Sequence, residues 1–191
     1  MNASEFYRAF ESGLISAPLP RDCRRLAGKT SKWKVPIQGG ALQFNFSTNS
    51  KASGLLDQLL WPGEFRLLLD WHQGTGKAKT ISEVSLFQYT TASEVDEFCA
   101  LQVRALEKYL GSGGPDPYGT LTDQANDREI RPKPNTADWC YYFDEDDARS
   151  WGTWFGRLMS PWIERFVTSP ESRDDWCWRV LWPHLKRQEK D

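Results

Sequence analysis

The stretch Trp33-Lys34-Val35-Pro36-Ile37-Gln38-Gly39-Gly40-Ala41-Leu42-Gln43-Phe44-Asn45-Phe46 decides the fold. Trp33 to Ile37 and Ala41 to Phe46 are extended runs, and Gln38, Gly39 and Gly40 separate them, which is a hairpin signal. Further on, Glu64 to Trp71 puts Phe65, Leu67, Leu69 and Trp71 on one face and Arg66, Leu68 and Asp70 on the other. This alternation predicts a half-buried strand. Ile81 to Tyr89 reads the same way, and Gln73-Gly74-Thr75-Gly76-Lys77 has the glycines of a loop between neighbouring antiparallel strands.

Helical patterns flank these strands. Asn2 followed by Glu5 is a capping-box-like start, and Phe6, Phe10 and Tyr7, Leu14 recur at helical spacing, so a first helix is expected from about Ala3 to Ser12. Ser93 with Asp96 opens a second helix, whose Val95, Phe98, Cys99, Val103, Leu106, Tyr109 and Leu110 share an arc of roughly 160°. Gly111 to Pro134 lacks periodicity and is rich in Gly and Pro. A loop over 111–138 follows, and a loop that long in a compact domain is usually functional or disordered.

Trp139 to Phe143 is a short aromatic strand, and Asp144, Glu145, Asp146 and Asp147 stand where a helix N-terminus favours acids. That helix carries Ala148, Trp151, Phe155, Leu158 and Met159. Ser160-Pro161 is expected to end it and start a short helix through Trp162, Ile163 and Phe166, and Ser169-Pro170 repeats the device. Strands gathered between helices, without strict alternation, predict an α+β domain with an antiparallel sheet of about five strands and helices mainly on one face. The chain of 191 residues reads as one domain, 1–191.

Composition narrows the function classes. No window approaches about eighteen apolar residues, which excludes a membrane-spanning helix. The N-terminus lacks the basic segment and apolar run of a secretory signal, so a bacterial cytoplasmic location is expected. Cys23, Cys99, Cys140 and Cys177 form no C-x-x-C pair, which removes zinc-ribbon and thioredoxin spacing and makes free thiols the expectation. Cys99 reads as a small core residue. A net charge of −2 argues against a dedicated nucleic-acid binder. Charge is nevertheless segregated: Arg21, Arg24, Arg25, Lys29, Lys32 and Lys34 face one acid, Asp22, over 21–34, whereas 138–147 is acidic with no base.

The aromatic first helix (Phe6, Tyr7, Phe10), Gly28-Lys29-Thr30-Ser31-Lys32-Trp33, Leu42-Gln43-Phe44-Asn45-Phe46 and Pro62-Gly63-Glu64-Phe65 together resemble a bacterial family, domain of unknown function 4304. Trp139 to Phe143 and Trp162-Ile163-Glu164-Arg165-Phe166 resemble that family's ending. The resemblance covers about two thirds of the chain, leaves out the loop, and departs at Ser47, where the family pattern has Gln. It implies an α+β fold and carries over no active site.

No catalytic motif emerges. Gly74-Thr75-Gly76-Lys77-Ala78-Lys79-Thr80 fails as a phosphate loop, because Trp71 and Ala78 stand where Gly and Ser or Thr are needed and a strand follows instead of a helix. With only His72 and His184, a three-histidine metal site is excluded within one chain, and no cofactor is expected. The acids at 144–147 lack the alternation and glycine of a calcium loop, and helix capping explains them more cheaply. No G-x-S-x-G elbow is present; His72 beside Trp71 is the one histidine to watch.

The C-terminal stretch from Trp176 to Leu185, with Cys177, Trp178, Val180, Leu181 and Trp182, projects an apolar arc of roughly 240° as a helix. One packing face cannot hide that much, and exposed apolar patches mark interfaces. The leading expectation is therefore a non-catalytic protein-binding module, of the immunity, antitoxin or defence-associated kind. Its expected contacts are Trp178, Trp182 and the acids Asp144, Glu145 and Asp147, which would meet a basic partner. The second is a nucleic-acid-associated protein in which Arg21, Arg24, Arg25, Lys29, Lys32 and Lys34 track phosphates while Trp33 stacks a base. The third is a hydrolase or nuclease built around His72 or the acids at 144–147.

Overall fold

A computed structural model describes residues 1–48, 63–73, 80–84, 90–116, 119, 122 and 138–168. Six strands form one sheet: β1 (Arg24–Arg25), β2 (Ser31–Ile37), β3 (Gly40–Thr48), β4 (Gly63–Gln73), β5 (Thr80–Val84) and β6 (Asp138–Tyr142). Every neighbouring pair is antiparallel, in the order β1-β2-β3-β4-β5. The expected hairpin is β2-β3, closed at Ile37 opposite Gly40. β4 is long enough to hold two partners on one edge: Gly63 to Leu67 pairs with β6, and Leu69 to Gln73 pairs with β5. The α+β fold is thus as the alternation of residues predicts.

Alternation along the strands places Trp33, Val35, Leu42, Phe44, Phe46, Phe65, Leu67, Leu69 and Trp71 in the core. Helices α1 (Ala3–Ser16) and α3 (Glu145–Thr168) lie over this face, with α2 (Ala92–Gly111) beside them. Ring contacts tie the layers: Phe6 to Phe65 at 5.0 Å, Phe10 to Phe46 at 4.6 Å, Phe155 to Phe46 at 5.0 Å and Trp71 to Phe166 at 5.3 Å. Rings supply much area per residue, and tilted or edge-on pairs add to that burial.

Each helix departs from its expected bounds for a local reason. α1 has the Asn2 and Glu5 capping box and runs on past Ser12, because Gly13 lies against the backbone of α3. α2 starts one residue before Ser93, capped by Thr91 and Glu94. Its buried stripe contains Gln102 rather than Val103. α3 does not stop at Ser160. It continues through Pro161, which is only partly buried and sits beside exposed Arg157 and Ser160 on the water side. A helix-interior proline costs about 3 kcal/mol, whereas each large side chain fully buried gains roughly 1.5–3 kcal/mol. Trp162 and Phe166, both 1% exposed, extend the stripe of Trp151, Phe155, Leu158 and Met159 and hold the helix together.

Three glycines let α1 and α3 touch backbone to backbone. A Cβ on Gly152 would lie 1.9 Å from the Phe10 carbonyl oxygen, one on Gly156 2.4 Å from that of Leu14, and one on Gly13 2.0 Å from that of Arg149. No helix among the described residues is long and apolar enough to cross a membrane.

Candidate functional site

The acidic cluster is a structural joint. Asp144 caps α3, its Oδ1 accepting from the Asp147 N–H at 2.9 Å. Asp147 is fully buried, and its Oδ2 accepts from the Phe143 N–H at 3.0 Å. Its Oδ1 takes Arg104 Nε at 3.1 Å and Lys108 Nζ at 2.9 Å, while Lys108 also reaches Asp144 at 2.8 Å. Arg8 pairs with Glu145 and Arg149 with Asp146, each at 2.9 Å. Every acid of the cluster therefore has a cation within the chain; of the acids expected to meet a basic partner, Asp147 is buried away from any partner, while Asp144 and Glu145 remain partly exposed. The spacing of Arg104 and Lys108, four apart on α2, against Asp144 and Asp147, three apart, was the signal the sequence held for this pairing.

Burial opposes the charges of Asp144 and Lys108, but the bonds between them outweigh it: the Asp144 carboxyl is held below its ordinary range and the Lys108 ammonium above its own. A second joint ties α2 to α3, where Arg165 donates to both oxygens of Glu94 at 2.7 Å. Against partial burial, these bonds and the Thr91 cap hold the Glu94 carboxyl below its ordinary range.

The basic block is built differently. Arg24 lies directly opposite Lys34 across β1-β2, and Lys32 is two residues from Lys34 on the same face of β2. Among the described residues Arg21, Arg24, Lys29, Lys32 and Lys34 form no ion pair; Arg25, on the other face, reaches Glu11 of α1 at 2.7 Å. Arg21, Arg24 and Lys29 are exposed. Like charges set directly opposite on a sheet repel.

Beyond this edge the outward face turns neutral and reaches Asp70. Lys34 is opposite Gln43 and Lys32 opposite Asn45; Gln43 donates to Asn45 at 2.8 Å, and Asn45 donates to Asp70 at 2.6 Å.

Trp33 is not part of that surface. It is 6% exposed on the core face, and its indole N–H donates to Ser31 Oγ at 2.9 Å. This corrects the expectation that Trp33 stacks a base. Trp71, Trp151, Trp154 and Trp162 are likewise buried. Trp178 and Trp182 lie outside the described residues.

The hydrolase reading finds no constellation among the described residues. His72 is half-buried with its Nε2 out of solvent and unpartnered, Asp70 is engaged by Asn45, and the acids at 144–147 are paired with cations. No group of three or more His, Cys, Asp or Glu stands where it would hold a metal ion among these residues. Cys23 is a free thiol, and Cys99 and Cys140 lie in the core, Cys99 as its helix face implies.

Comparison with family models, with curated proteins and with solved structures finds no match to this chain.

Proposed function

We propose that this chain is a non-catalytic binding module of the bacterial cytosol that holds an acidic partner protein against its β1-β2 edge. The observation that carries this reading is the contrast between its two charged regions: the acids at 144–147 are neutralised from within, whereas Arg21, Arg24, Lys29, Lys32 and Lys34 form no ion pair among the described residues. An acidic surface would relieve the repulsion between Arg24 and Lys34, and complementary charge favours fast and selective association.

Strand addition is a poor alternative at this edge. Pro36 stands in β2 and lacks an N–H, and lysines on an edge discourage pairing with another sheet. Contact through side chains remains. A nucleic acid could use the same cations, but without an indole its binding would be phosphate-driven and steeply salt-dependent.

Affinity capture from a bacterial lysate tests the proposal, using the full chain and an R24E/K32E/K34E variant. The expected result is an acidic protein retained by the native chain, released by salt and absent with the variant. No protein above background, or equal capture by both, overturns it. Filter binding with nucleic acid that falls steeply with salt, without protein capture, supports the phosphate reading instead.

A further inference from the structure

A groove of about 560 Å³ runs between α2 and α3 and shares no lining residue with the basic edge. Its size falls in the range of small-molecule sites. Arg149, Thr153 and Arg157 recur every four residues along α3, and Arg104 and Glu97 enter from α2. Leu101 and the Trp154 ring give it an apolar lining.

Two donors here lack acceptors among the described residues: Arg104 Nη2 and Trp154 Nε1 are both out of solvent and form no hydrogen bond with them. Buried donors are normally satisfied, so an unpaired pair beside one groove is unusual. Arg157 pairs with Glu97 and Arg149 with Asp146. One such bond leaves most of a guanidinium's N–H donors unused.

We propose that this groove binds a small molecule bearing one oxyanion group, phosphate or carboxylate, on an apolar body. The oxyanion would accept from the arginines, with planar guanidinium groups suited to both oxyanion types. The apolar part would lie against Leu101 and Trp154. A modest shift of side chains at the groove floor would give it the Trp154 N–H. This inference goes beyond the partner-binding reading and does not depend on it.

Titration of the isotope-labelled full chain, followed by NMR at the Trp154 indole N–H assigned through the backbone, tests it. The probes are phenyl phosphate and benzoate, with phenol as the neutral control. The expected result is a saturable shift with one or both anions, weakened about tenfold in an R149Q/R157Q variant. Those two side chains are each half exposed, so the variant is expected to fold. Binding of phenyl phosphate alone identifies a phosphate ester, and of benzoate alone a carboxylate. No shift with either anion, equal affinity for phenol, or undiminished affinity in the variant overturns the proposal.

Discussion

Gln102 Oε1 accepts the backbone N–H of Tyr141 at 2.6 Å. The Tyr141 carbonyl in turn accepts from the Trp151 indole at 2.7 Å. β6 pairs with β4 on one side, and on its other side side chains of two helices take the place of a strand. A sheet edge closed in this way cannot template pairing with another chain.

Replacing Gln102 by Leu keeps volume but leaves that N–H without a partner in a buried setting. The expected loss is about 1–3 kcal/mol of unfolding free energy, with faster hydrogen exchange at the Tyr141 amide. Unchanged exchange at Tyr141 would show that the contact does not close the edge.

Gly152→Ala places a methyl group 1.9 Å from a backbone oxygen of α1, where no rotamer change can relieve it. The helices must separate, at a cost of about 3 kcal/mol, which lowers the melting temperature by roughly 6–12 °C. Ser150→Ala, on the exposed side of the same helix, is the control and is expected to move it little. Equal melting of G152A and the native chain would refute the close approach of α1 and α3.

Acid should loosen both joints between α2 and α3. Asp144 and Glu94 have carboxyls held below their ordinary values, so their contribution is present above the unfolded-state pKa and fades as pH falls through the folded-state value. Lys108 is raised, so its share persists below its ordinary pKa and is lost only as strongly alkaline pH passes the folded value. The urea midpoint is therefore expected to hold through neutral pH and drop below about pH 4. A D144N/E94Q variant should show a smaller drop; an identical profile would exclude these groups as its source.

Burial pushes the Cys23 thiol up to about 11. At neutral pH its thiolate fraction is then roughly a hundredfold below that of an ordinary cysteine, and alkylation should slow in proportion. Peptide mapping after iodoacetamide treatment measures this. Labelling of Cys23 as fast as glutathione would contradict it.

Trp33→Phe distinguishes a core role from a contact role. The variant loses the hydrogen bond to Ser31 and is expected to lose about 1 kcal/mol of stability, while partner capture stays intact. Loss of capture in a stable W33F variant would return the indole to the binding surface.

The longer strands, the Asn2 and Glu5 capping box and the one-sided core were legible in the residues, because they depend on alternation and on neighbours three or four positions apart; the Thr91 and Glu94 box, two residues before the expected start at Ser93, and the two-residue β1 were not. The continuation of α3 through Pro161 was not, since it depends on what Trp162 and Phe166 meet across the core. Gly13, Gly152 and Gly156 carried a trace, small residues four apart in α3, but their purpose shows only when α1 lies against them.

For the candidate surfaces, the chain order alone determined where charge is concentrated. Which charges remain available was settled in three dimensions. Lys108 and Arg104 come from more than 30 residues away to quench Asp144 and Asp147, whereas β1 pairs Arg24 with Lys34 and sets like beside like. Local pattern follows from short-range sterics and burial. Neutralisation is a property of distance, which only the folded chain assigns.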